Sequence, residues 1–131
     1  MNLKPGLQGE ASLLVEEENT AQKMGSGSLS VLATPALVAL MEKAATRAIA
    51  EHLPEGQTTV GIRIDIHHLA PTPVGMEVKA RAELTGVEGQ RLHFQVEAGD
   101  QNELVGRGEH FRVIVPAENF LQRAQAKNKK S

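Results

Sequence analysis

Residues 34–68 read TPALVALMEKAATRAIAEHLPEGQTTVGIRIDIHH, and the hydrophobic period changes partway along them. From Thr34 onward Val38, Met41, Ala45, Ala48 and Ile49 recur at helical spacing, which predicts a helix from Thr34 to about His52. Thr34 can cap free N–H groups, and Pro35 suits the first helical position, where its missing N–H would be unpaired anyway. Past the turn Pro54-Glu55-Gly56 the period drops to two. Val60, Ile62, Ile64 and Ile66 there alternate with Gly61, Arg63, Asp65 and His67, as in a strand with one buried face.

The two-residue period continues downstream. A break at Pro71-Thr72-Pro73-Val74-Gly75 precedes Met76, Val78, Ala80, Ala82 and Leu84. The turn Glu88-Gly89-Gln90 leads into Leu92, Phe94, Val96 and Ala98, and a last strand runs from about Glu103 to Val115. Upstream, Ala11-Ser12-Leu13-Leu14-Val15 is a short β-like run, and Met24-Gly25-Ser26-Gly27-Ser28 reads as a mobile loop. Short turns require antiparallel neighbours, because parallel strands need long crossovers. Such a sheet must cover one apolar face, and the one long helix is the cover. The fold class is therefore α+β, a mostly antiparallel sheet wrapped around one long helix. A chain of 131 residues fits one domain over 1–131, in which residues 122–131 form a polar, basic tail expected to fray.

Composition narrows the function. Aromatic residues are 2% of the chain, with no Trp or Tyr, so the core is aliphatic and base-stacking platforms are not expected. A net charge of −2 gives no general attraction to nucleic acid. Cysteine is absent, which excludes disulfides and a thiol nucleophile and fits a reducing cytoplasm. The start, with Lys4 but no apolar run behind it, predicts no signal peptide, and no stretch has the ~18 apolar residues of a membrane span.

Three polar residues interrupt apolar patterns. Continuing the inward set of the first long strand by two places lands on His68, facing the helix, with His67 on the opposite face. Imidazole is the usual acid–base group near neutral pH, although a histidine in this place is more often structural. Glu42 puts a carboxylate on the helix stripe shared by residues 38, 45 and 49; such a group is paired, protonated, functional, or at the stripe's edge reaching solvent. Thr34 sits at the helix N-terminus, where free N–H groups favour a developing oxyanion. It lies roughly 12 Å from Glu42 along the axis. His67, His68 and His110 suggest a metal only superficially, because neighbouring strand residues point to opposite faces.

Leu32-Ala33-Thr34-Pro35, Met41-Glu42, Val60-Gly61, His68 to Gly75, and Gly106 to Arg112 together resemble the fluoroacetyl-CoA-thioesterase-like branch of hot-dog thioesterases. The resemblance extends from about residue 10 to residue 120, and His68 to Gly75 is its most specific piece. It implies a hot-dog fold and hydrolysis of an acyl-CoA thioester to a carboxylic acid and free CoA. Thr34, Glu42 and His68 would be catalytic, and Gly61 and Arg112 would bind substrate. It also implies a homodimer, or a tetramer built from dimers, with coenzyme A present only as part of the substrate and no metal. Glu42 as nucleophile, and Thr34 with His68 activating the attacking group, both remain open mechanisms. So do two other functions on the same fold, an acyl-CoA-binding module and a hydratase or dehydratase. No aromatic residue occurs in Met24 to Ser30, so an aromatic gate over the acyl pocket is absent and fluoroacetyl-CoA is not inferred as substrate.

Overall fold

The structure, a computed structural model, describes residues 3–129. In chain order it contains β1 (Gln8–Leu14), α1 (Ala21–Met24), α2 (Thr34–Ile49), β2 (Gln57–His68), β3 (Glu77–Glu88), β4 (Arg91–Gly99), β5 (Leu104–Pro116) and α3 (Ala117–Gln125). Short 3₁₀ turns precede α1 and extend α2 and α3. All strand pairings are antiparallel, in the order β1-β3-β4-β5-β2. Helix α2 lies against this sheet, and its buried residues Leu37, Leu40, Met41, Ala44, Ala45, Ala48 and Ile49 join the main hydrophobic cluster.

The expected strands and the covering helix are present, but their neighbours differ in one place. Short turns were expected to make consecutive strands adjacent, yet β2 pairs with β5 and β3 pairs with β1. The proline-rich segment after His68 carries the chain from one edge of the sheet to its far side. It is anchored by the Val31↔Pro73 bridge and by a bond from Leu32 N–H to the Thr72 carbonyl. Val78, Ala80, Ala82 and Leu84 on β3, with Leu92, Phe94, Val96 and Ala98 on β4, are buried as their alternation predicts. The helix comes so close to β1 that a Cβ at Gly9 would strike the backbone of Ala44 and Ala48.

The carboxy-terminal segment expected to fray is helical over most of its length. Residues 122–125 belong to α3 and Ala126–Lys129 continue as a 3₁₀ turn, whereas Lys130 and Ser131 lie outside the described residues. Helix α3 buries none of its side chains.

Candidate active site

Thr34 is the first residue of α2, but it does not cap it. Ala33 occupies the cap position and makes no side-chain cap bond. The Thr34 hydroxyl instead lies 2.8 Å from Nδ1 of His68, the last residue of β2. Burial holds the His68 imidazole below its ordinary pKa, partly offset by the backbone of Ala70. His68 Nε2 is buried and has no hydrogen-bond partner among the described residues. Beside the pair opens a cleft of about 270 Å³, lined by Ala21, Ser26, Val31, Leu32, Leu69, Ala70 and Pro71 as well as Thr34 and His68.

Glu42 follows two turns later on the same helix edge as Thr34 and Val38, at four-residue spacing. The buried stripe of α2 centres on Leu37, Met41 and Ala44, so Glu42 flanks the core instead of interrupting it. Its side chain is 40% exposed, and Oε2 lies 3.5 Å from Nη1 of Arg112 and 3.9 Å from Nε2 of His110. Gly61 sits beneath this carboxylate. A Cβ there would come within 2.7 Å of Glu42 Oε2, closer than side-chain atoms approach.

Arg112 is 6% exposed, and its donors are directed at neighbours in the fold. Nε donates to Thr59 Oγ1 at 2.9 Å, Nη2 to the Thr59 carbonyl at 3.0 Å, and Nη1 to His110 Nε2 at 3.2 Å. His110 is 1% exposed, and its Nδ1 is 2.8 Å from the carbonyl of Arg63. Burial, with the nearby Arg112 cation, lowers the His110 pKa; the Arg63 carbonyl and Glu42 oppose the shift. Burial likewise lowers that of Arg112, against the pull of Glu42.

A β-bulge puts these groups together. Gly61 pairs with Arg112 and Arg63 with Phe111, so Ile62 is an extra residue on β2. It reverses the alternation. Before the bulge Thr59 and Gly61 face Arg112 and Glu42; after it Ile64 and Ile66 pack against the core. The predicted inward places of Val60 and Ile62 are therefore corrected: Val60 is opposite Val113, and Ile62 is 50% exposed. His68 keeps its predicted face because it follows the bulge, and His67 lines an outer groove with Arg81, Glu97 and Arg107. Thr59 escaped the sequence reading, and His110 entered it only as a discounted metal ligand and within a matching segment, with no role at this site. The even positions of the last strand, Gly106, Gly108, His110, Arg112 and Ile114, carry the missed signal, because two polar residues share a face with a core isoleucine.

The site thus has two parts on one helix edge. A hydroxyl–imidazole pair stands at the N-terminus of α2, and a carboxylate–guanidinium–imidazole cluster stands two turns along. Among the described residues no group of three His, Asp or Glu side chains could hold a metal ion, and no helix is long and apolar enough to cross a membrane.

A long helix packed on a five-stranded antiparallel sheet, with threonine, glutamate and histidine arranged along one edge, defines a hot-dog protein of the thioesterase type. The chain belongs to the FlK family, described as fluoroacetyl-CoA-specific thioesterase, whose pattern it matches over residues 15–118. It is 40% identical over 97 residues to the fluoroacetyl-CoA thioesterase of Streptantibioticus cattleyicolor, covering 74% of this chain and 70% of that protein. A crystal structure of an FlK variant in complex with fluoroacetate and CoA superposes with a TM-score of 0.84 at 33% identity, covering 90% of this chain and 99% of that one. A hot-dog-like protein from Thermanaerovibrio acidaminovorans is similar at a TM-score of 0.85 and 26% identity, with 95% and 93% covered.

Proposed function

We propose that this chain hydrolyses an acyl-CoA thioester to a carboxylic acid and free CoA. The observation that carries the reading is the Thr34–His68 hydrogen bond at the N-terminus of α2, with the Glu42 carboxylate on the same helix edge. A thioester carbonyl set near the first turn of α2 meets free N–H groups suited to its developing oxyanion. His68, kept neutral by burial, is the acid–base group. Thr34 and Glu42 position or perform the attack at the carbonyl carbon. As the C–S bond breaks, the CoA sulfur takes a proton, and water supplies the hydroxyl of the product acid. Gly61 leaves room for Glu42 and passes its backbone beside the thioester, while Arg112 holds the carboxylate and borders the substrate.

The cleft beside Thr34 and His68 is lined mainly by small and aliphatic side chains, with no Asp, Glu, Lys or Arg in its walls. That lining suits a short, medium-length or aryl acyl group. The named relatives support CoA thioesters as the substrate class, because one is a fluoroacetyl-CoA thioesterase and another was crystallised with fluoroacetate and CoA. The reaction needs no metal or redox cofactor beyond the coenzyme A carried by the substrate.

The working unit is a homodimer of single-domain chains in the cytoplasm. Strand β2 is an edge of the sheet, and Ile62 is half exposed on it. Joining two such edges pairs their open backbone groups, covers the isoleucine and brings the two sites to the interface. Incubation with a panel of acyl-CoA esters and a thiol reagent tests the activity, with the released acid identified by mass spectrometry. Release of free CoA and acid in equal amounts is expected. Binding without release would favour an acyl-CoA-binding module, and a hydrated acyl-CoA product would favour a hydratase.

A further inference from the structure

His110 makes two hydrogen bonds from inside the fold, and both require the same tautomer. The Arg63 carbonyl can only accept, so Nδ1 carries the hydrogen. The Arg112 guanidinium can only donate, so Nε2 presents its lone pair. The imidazole therefore connects the β2 bulge, through the carbonyl of Arg63, to the guanidinium that faces Glu42. Phe94 closes another side of the ring, at 6.2 Å between centroids, and the charged side chains facing it are Arg112 from β5 and Glu42 from α2.

We infer that His110 is a positioning residue for hydrolysis: as the neutral Nδ1–H tautomer it fixes Arg112 so that Nη1 is turned toward the Glu42 carboxylate. Arg112 approaches Glu42 at 3.5 Å with the Nη1 that also donates to His110, so the imidazole sets the angle of that contact. Thr59 accepts from Nε and Nη2, and His110 accepts from Nη1, the nitrogen that also meets Glu42, so the two residues hold the guanidinium together. A second proton on His110 would turn Nε2 into a donor facing a donor, and the guanidinium would swing away. Direct substrate contact is not required of His110, which is 1% exposed. The inference rests on the proposal that Glu42 takes part in the reaction.

Three substitutions separate this role from simple core packing. His110→Phe keeps a ring and removes both hydrogen bonds. His110→Asn keeps a donor within reach of the Arg63 carbonyl, but has no acceptor as far out as Nε2. His110→Gln carries its amide oxygen to about the place of Nε2 and so keeps the acceptor for Arg112. The Phe and Asn variants are expected to lose about 10–100-fold in kcat with KM changed less than about threefold, and Gln to retain about tenfold more kcat than Asn. The Arg112 Nη1 hydrogens, the ones that His110 holds, should stay protected and visible in low-temperature ¹H–¹⁵N spectra of the Gln variant and should broaden or vanish in the Asn variant. Equal kcat for folded Asn and Gln variants would overturn the inference, as would wild-type kcat in the Phe variant. Glu42→Gln, assayed alongside, keeps the two readings apart: full activity there removes Glu42 from the reaction and His110 with it. An inactive Glu42→Gln beside Asn and Gln variants of equal kcat overturns the His110 role alone.

Discussion

The hydroxyl of Thr34 lies 2.8 Å from Nδ1 of His68, joining the first residue of a helix to the last residue of a strand. Threonine at a helix start commonly caps the free N–H groups, but Ala33 holds that position here, so the hydroxyl is available to the imidazole. Both residues are fixed by elements whose other ends are packed in the core, which holds the pair in place before any substrate arrives.

Removing either half of the pair should therefore disable turnover and leave the fold intact. His68→Ala is expected to lower kcat by about 10²–10⁴-fold, the usual share of a positioned acid–base group. Thr34→Val should also lower kcat strongly, and Thr34→Ser should restore part of it by returning the hydroxyl. His67→Ala should change little, because His67 faces the outer groove with Arg81 and Arg107. Steady-state assays on variants with matched melting temperatures check all four.

The buried imidazoles give the pH dependence a definite sign. Both His68 and His110 are held below the ordinary value of 6.5, chiefly by burial. The unfolded chain, with its histidines near 6.5, then binds more protons than the folded chain just below that pH. The stability these histidines contribute is complete above pH 6.5 and is lost as the pH falls through their lower folded values. Melting temperature should rise from pH 5 to pH 7 by more in the wild type than in His110→Gln. Activity that depends on neutral His68 should fall on the acid side of 6.5, which a pH profile of kcat/KM measures.

Gly61 predicts a different kind of loss. A methyl group there would push on the Glu42 carboxylate, the movable end of a side chain, rather than on backbone. Gly61→Ala should therefore fold normally, displace the carboxylate, and lower kcat by about 10–100-fold. Circular dichroism with steady-state kinetics separates this outcome from unfolding.

Ile62 tests the assembly. An apolar side chain 50% exposed on an edge strand is suited to burial against a second copy. Ile62→Lys should convert a dimer to a monomer and reduce activity, as read by light scattering and turnover on the same sample. A dilute, fully active wild-type monomer would remove the dimer from the account.

Most of the fold could be read from the chain because its signals are local. Val78, Ala80, Ala82 and Leu84 alternate strictly and are all buried, and Thr34-Pro35 marks the start of α2. What escaped depends on pairing. The bulge at Ile62 arises between β2 and β5, so the alternation of β2 alone hides the reversal that turns Thr59 and Gly61 toward Glu42. His68 is placed correctly by that alternation only because it lies beyond the bulge. The even positions of β5 put His110 on the face of Arg112 and Ile114, but its bond to Arg63, and the bond of Thr59 to Arg112, join residues that sequence spacing does not connect. Glu42 stood out as a carboxylate near an apolar stripe, but its pairing with Arg112 crosses from helix to sheet over 70 residues of chain.

The central claim, thioester hydrolysis at the Thr34–His68–Glu42 edge of α2, is tested most directly by CoA release from one acyl-CoA ester by four proteins. These are the wild type, Thr34→Val, His68→Ala and Glu42→Gln, each shown to be folded. The account predicts steady release of CoA with equimolar acid by the wild type. It predicts losses of about 10²-fold or more in each variant, the range for groups acting in the transition state. Wild-type rates of CoA release in all three variants would contradict it, because the hydrolysis would then take place elsewhere on the protein.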